Sequence, residues 1–212
     1  MTAEWVDRPE GQAVARFIMA HGAGAPADSP FMTHIAQGLA ALGVEVIRFE
    51  FDYMAQRRID GKRRPPPRSA ELLMAQWRAI IATSRAGSLP LFIGGKSMGG
   101  RLASLIADAS GAAGLICFGY PFHPQAKPDQ LRIAHLQSLR TPALILQGTR
   151  DALGNNVEVP AYPLAPSIRL HWLQDGDHDL KPRVASGFRH EQHLASAIAA
   201  TAAFIQQQTR CE

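Results

Sequence analysis

Cysteine is scarce: Cys117 and Cys211 are the only two in 212 residues, so at most one disulfide can form and a cross-linked scaffold is excluded. Cys117 lies in the apolar run Gly114-Leu-Ile-Cys-Phe118 and reads as a small core residue, not a nucleophile. No uncharged apolar run approaches the roughly 20 residues needed to cross a bilayer. The first nine residues lack a cationic stretch followed by an apolar one, so no signal peptide is expected. These absences make a cytoplasmic protein without membrane contact the expectation. Eighteen glycines and fifteen prolines carry no period, and no internal repeat appears, which excludes collagen-like and solenoid architectures. Charged residues are only 19% and hydrophobic ones 46%, a balance that excludes disorder as the dominant state and fits one globular domain over 1–212.

The net charge of +4 hints at nucleic acid, but it is localised. Arg57, Arg58, Lys62, Arg63, Arg64 and Arg68 against Asp60 give one segment +5, leaving the remaining chain at −1. A basic surface made for nucleic acid is therefore not expected. One loop holds the excess.

Apolar runs of strand length alternate with helix-length periodic segments. The runs are 13–20 (AVARFIMA), 44–51 (VEVIRFEF), 89–95 (LPLFIGG), 114–119, 143–148 and 168–174. Most are nearly continuous in Ile, Val, Leu and Phe, as strands buried on both faces require. Segments 30–42, 69–85, 98–109 and 190–207 read as helices, with Ser69 the expected N-cap of the second. This alternation predicts an α/β fold, a doubly wound, mostly parallel sheet of about six strands. Such sheets do their chemistry at the carboxyl ends of the strands.

After 89–95 comes Lys96-Ser97-Met98-Gly99-Gly100-Arg101, then a helical run. Gly95-x-Ser97-x-Gly99 is the strand–turn–helix pattern of a nucleophile elbow: side chains at the two glycines would collide, and the serine hydroxyl is pushed outward at a helix N-terminus. The N–H of Met98 then faces a developing oxyanion. Gly95-Lys96-Ser97 also matches the tail of a phosphate-binding loop, but the glycine that pattern needs five residues earlier is Pro90, and 91–94 read as strand.

Asp151 follows the run 143–148, and Asp175-Gly-Asp177-His178-Asp179 follows 168–174. Ser97, Asp151 and His178 thus occur in the order nucleophile, acid, base, each past a different strand, the arrangement of a Ser-Asp-His triad. Asp175, Asp177 and Asp179 stay open as alternative acids. Taken singly, Asp151 is a turn residue and His178 a loop histidine. A metal reading of this acidic cluster, or of His190 and His193, lacks a complete ligand pattern, so no metal is expected. After the first run, His21-Gly22-Ala23-Gly24 forms a glycine-rich turn whose Ala23 or Gly24 N–H is the expected second oxyanion donor, with His21 structural.

Gly94-Gly-Lys-Ser-Met-Gly-Gly-Arg101, Gly119-Tyr-Pro-Phe-His-Pro124, Gln147-Gly-Thr-Arg-Asp151 and Gly176-Asp-His178 resemble the α/β-hydrolases. More narrowly they resemble small, cap-less predicted hydrolases that include the testis-expressed hydrolase-like proteins and the hydrolase-like domain of a non-specific-lethal complex subunit. The resemblance implies Ser97 as nucleophile, Asp151 as acid and His178 as base, hydrolysing a small-molecule ester or thioester without a cofactor. It also allows a non-catalytic scaffold on the same fold. Without a cap domain, the segment that begins at Arg57 and Arg58 is the candidate to roof the site, where the two arginines would favour an anionic substrate; the alternative reading, which carries more weight, is a solvated basic loop that ends at Pro65–Pro67. Nothing in the sequence sets the oligomeric state.

Overall fold

The structure, a computed structural model, describes residues 4–85 and 87–210. Cys211, the second cysteine of the sequence, lies outside the described residues. Seven strands form one sheet in the order β1-β3-β2-β4-β5-β6-β7. They are β1 (Glu4–Asp7), β2 (Ala15–Ala20), β3 (Val44–Phe49), β4 (Leu91–Lys96), β5 (Gly114–Phe118), β6 (Ala143–Gly148) and β7 (Ile168–Leu173). Six run parallel, matching the six apolar runs. The seventh, β1, pairs antiparallel with β3 at the edge. It escapes the sequence reading because an exposed four-residue strand carries almost no apolar alternation.

Five helices cover the sheet: α1 (Pro30–Ala40), α2 (Asp52–Asp60), α3 (Ala70–Ser84), α4 (Met98–Ser110) and α5 (His190–Thr209). Period-two alternation in the strands divides the core between the faces. Ile18 and Ile93 point toward α2, α3 and α4, where they meet Trp77, Leu102 and Ile106. Phe17 and Phe92 point toward α1 and α5, packing with Ile35, Leu39 and Phe204. Ser69 does occupy the N-cap of α3, but its hydroxyl makes no capping bond.

The basic segment differs from the expected loop in its first part. Arg57 and Arg58 lie in the last turn of α2, which closes at Gly61 in a left-handed conformation (φ 68°). Only Tyr53 and Met54 of α2 are buried, too few to leave a periodic signal, and its N-cap is Phe51 rather than a Ser, Thr, Asp or Asn.

From β2 the chain crosses to β3 on one side, then returns to lay β4 on the other side of β2. The crevice between the carboxyl ends of β2 and β4 is therefore the switch point of the sheet. It brings the turn after β2 against the turn after β4.

Candidate active site

Ser97 joins β4 directly to α4 with φ 49° and ψ −113°. That conformation costs a non-glycine residue on the order of 1–3 kcal/mol. Tertiary contacts hold it: the Ser97 N–H donates to the Phe118 carbonyl at 3.0 Å, and the Ser97 carbonyl accepts from the Arg101 N–H at 2.9 Å. The glycines of the motif are required by the backbone of β2. A Cβ at Gly99 would stand 2.5 Å from the Ala20 carbonyl oxygen, and one at Gly95, whose φ is 148°, would run into the same atom.

The sheet brings the three residues predicted from sequence together. Ser97 Oγ lies 2.8 Å from His178 Nε2, and His178 Nδ1 lies 2.8 Å from Asp151 Oδ2. Asp151 is fully buried, whereas the His178 side chain is 27% exposed. A buried carboxylate needs donors, and Asp151 has two more: Gln147 Nε2–H at 2.8 Å and the Leu153 N–H at 2.8 Å. Gln147 is itself anchored by the Tyr120 amide and the Gly154 carbonyl.

The alternative acids are occupied elsewhere. Asp175 pairs with Arg183 and Arg150, and Asp177 caps its own loop through the Asp179 and Lys181 N–H groups. Asp179 pairs with Lys96 at 3.2 Å. Sequence reasoning missed Lys96 as a site residue because its position fitted the rejected phosphate-loop pattern. Its Nζ donates to the His178 carbonyl at 2.6 Å, tying the histidine loop to the strand that carries Ser97. Burial pulls its ammonium below the ordinary lysine range, against the Asp179 carboxylate. His193 donates its Nδ1–H to the Leu180 carbonyl and His190 its Nε2–H to the Asp179 carbonyl. Among the described residues no group of three or more His, Cys, Asp or Glu is placed to hold a metal ion.

The turn after β2 lies beside Ser97: a Cβ on Gly22 would stand 3.7 Å from the serine Cβ. The Tyr53 hydroxyl donates to the Ala23 carbonyl at 3.1 Å, and His21 Nδ1–H donates to the Gly22 carbonyl at 2.6 Å. In trans peptides the N–H points opposite the carbonyl, so the Ala23 and Gly24 N–H groups face away from these anchors. A cavity of about 320 Å³ is lined by this turn together with Phe31, Met32, Lys96, Ser97 and His178.

His21 is structural, as expected. Its Nε2 accepts from the Phe51 N–H at 3.2 Å, which requires the neutral ring, and burial pushes its pKa down to about 4. Unfolded, the same ring takes up a proton near pH 6.5, so between pH 6.5 and 4 the unfolded chain binds more protons and stability falls as pH falls. His135, also lowered to about 4 by burial, adds in the same direction. Urea unfolding followed across this window is expected to show a loss of about 3 kcal/mol from His21 alone. His21→Gln should flatten the curve; an unchanged slope in that variant would contradict the assignment.

Arg57 and Arg58 do not line the cavity. Arg58 is taken up by buried Glu50 at 2.7 Å and by Asp28, and sits 4.9 Å from the Trp5 ring. Arg57 stacks over Tyr53 at 5.3 Å and donates to the Arg64 carbonyl. Arg58 thereby ties α2 to Glu50 at the end of β3, whereas among the described residues Arg57 bonds only within its own segment and to the Gly24 carbonyl, its Nε buried without a partner.

Solved structures share this architecture at low identity. A serine hydrolase without lid from Xanthomonas campestris aligns with a TM-score of 0.73 at 19% identity, over 96% of this chain and 88% of that one. A protein of Butyrivibrio proteoclasticus with ferulic acid bound gives 0.69 at 16%, over 98% and 95%. Dienelactone hydrolase from Anabaena variabilis gives 0.70 at 16%, over 96% and 90%. Residues 13–206 match the alpha/beta hydrolase domain family, and the chain belongs to it.

Proposed function

We propose that the chain is a serine hydrolase cleaving a carboxylic ester or thioester through an acyl-enzyme. The observation that carries this is the file Asp151–His178–Ser97, closed by two hydrogen bonds of 2.8 Å. Ser97 Oγ attacks the substrate carbonyl carbon while His178 Nε2 takes its proton, and Asp151 holds the ring and stabilises the imidazolium. The oxyanion is received by the N–H of Met98, at the N-terminus of α4, and by the N–H of Ala23 or Gly24. Collapse expels the alcohol or thiol, protonated by His178. Water then attacks the acyl-enzyme with His178 again as base, releasing the acid and restoring Ser97.

The cavity of about 320 Å³ has room for a small to medium acyl group against Phe31 and Met32. Ferulic acid, a carboxylic acid of the kind ester cleavage releases, in one structural neighbour and the lactone, a cyclic ester, named for another support the same substrate class. Within the family, the motifs around Ser97, Tyr120 and Asp151 place the chain, on our reading, beside the testis-expressed hydrolase-like group. A fluorophosphonate probe tests the proposal: it should label wild type and leave Ser97→Ala unlabelled, and a panel of esters and thioesters of increasing chain length then defines the acyl group. A wild-type protein that takes no label and turns over none of the panel would instead be a scaffold on a hydrolase fold.

A further inference from the structure

Among the described residues Arg101 and Arg132 pair with no acid. Arg101 lies one turn along α4 from the serine. Its Nε is buried and has no hydrogen-bond partner. Arg132 lies in the connection after β5, fixed by its N–H to the Phe122 carbonyl at 2.7 Å and by its carbonyl, which accepts the Tyr120 hydroxyl at 3.0 Å. His135 closes the cluster: its Nε2 is 2.8 Å from Ser104 Oγ, which reaches the Arg101 carbonyl at 2.7 Å. Among the described residues neither guanidinium pairs with a carboxylate, whereas Arg48, Arg58 and Arg183 all do.

Both arginines are half-buried. Burial and the charge of Arg101 pull Arg132 below the ordinary arginine range, so the two cations repel each other and no acid relieves the repulsion. His135, held neutral to about pH 4, supplies no negative charge either. Partly buried like charges left this way cost stability unless something arrives to neutralise them. Two guanidinium forks match a planar or tetrahedral oxyanion by paired N–H···O bonds, which Arg forms in preference to any other side chain.

The position gives the pair its use. Ser97 stands at the carboxyl end of β4, with the Phe31 and Met32 cavity on the α1 side and Arg101 one turn into α4, the helix that begins just after it. The Tyr120 amide is bonded to Gln147, which also holds Asp151, so the arginine cluster and the histidine–acid pair share one scaffold. We propose that Arg101 and Arg132 bind an oxyanion, a carboxylate or phosphate, on the half of the substrate that does not enter the Phe31 cavity. This rests on the hydrolytic reading for the word substrate, but the anion site itself does not.

The test has a binding arm and a kinetic arm. Calorimetry with inorganic phosphate and with acetate, at low and high salt, should show saturable binding that weakens with salt. Arg101→Gln and Arg132→Gln should each weaken it roughly tenfold or more; the better of the two anions identifies the group. Kinetically, the butyryl esters of 3-hydroxypropanoate and of 2-hydroxyethyl phosphate are compared with propyl butyrate. The charged-to-neutral ratio of kcat/KM should fall by a similar factor in each variant, with propyl butyrate unaffected. Equal losses on charged and neutral esters, or anion binding unchanged in both variants, overturns the site. If wild type takes no fluorophosphonate label and turns over none of these esters or of the wider panel, arginine-dependent anion binding still upholds the site while the hydrolytic reading falls.

Discussion

Ser97→Ala is expected to reduce kcat for its best ester by about 10³-fold or more with the fold intact. The hydroxyl is the only group lost, and among the described residues no other side chain bonds His178 Nε2. Stability should barely change, because alanine bears the same positive φ of 49° that serine does. Ser97→Gly separates the two effects: it should be as inactive as the alanine variant yet more stable by about 1 kcal/mol, since glycine adopts that conformation without strain. Thermal unfolding beside steady-state kinetics reads both. Ester turnover near the wild-type rate in either variant would remove Ser97 from the chemistry.

Asp151→Asn should cost about 10²–10⁴-fold in kcat with the chain still folded. The carboxylate accepts three N–H groups, from His178, Gln147 and Leu153. An amide at that position keeps one oxygen, which satisfies one or two of these donors. Its own N–H₂ then meets another donor, and the His178 ring is pressed into the tautomer that presents N–H to Ser97, the wrong form for a base. The same donor conflict at Gln147 predicts a loss of about 1–3 kcal/mol of stability. Full activity in Asp151→Asn together with inactivity in Asp177→Asn would transfer the role to the loop aspartate.

The six parallel strands and four of the five helices were legible in the sequence because burial on both faces writes long apolar runs, and one-sided burial writes a 3.6-residue stripe. The elbow was legible for a steric reason: Gly95 and Gly99 tolerate no Cβ beside Ala20, so the motif survives as residue identity. β1 and α2 were not, since each buries at most two side chains and local sequence carries no trace of a contact that is not made by burial. The order of Ser97, Asp151 and His178 along the chain was visible, and with it the strands they follow. Which aspartate meets the histidine was decided in three dimensions, where Asp175, Asp177 and Asp179 found partners of their own and Asp151 alone was left facing Nδ1. The fate of the arginines was decided there as well. Sequence shows charge but not its neutralisation, so Arg57 and Arg58 stood out as a cluster although the fold gives Arg58 to Glu50 and Asp28 and lays Arg57 over Tyr53, and Arg101 and Arg132, 31 positions apart, became a pair only when Tyr120 and His135 closed the loop onto α4. A charge is counted by its residue, but its partner is chosen by the fold.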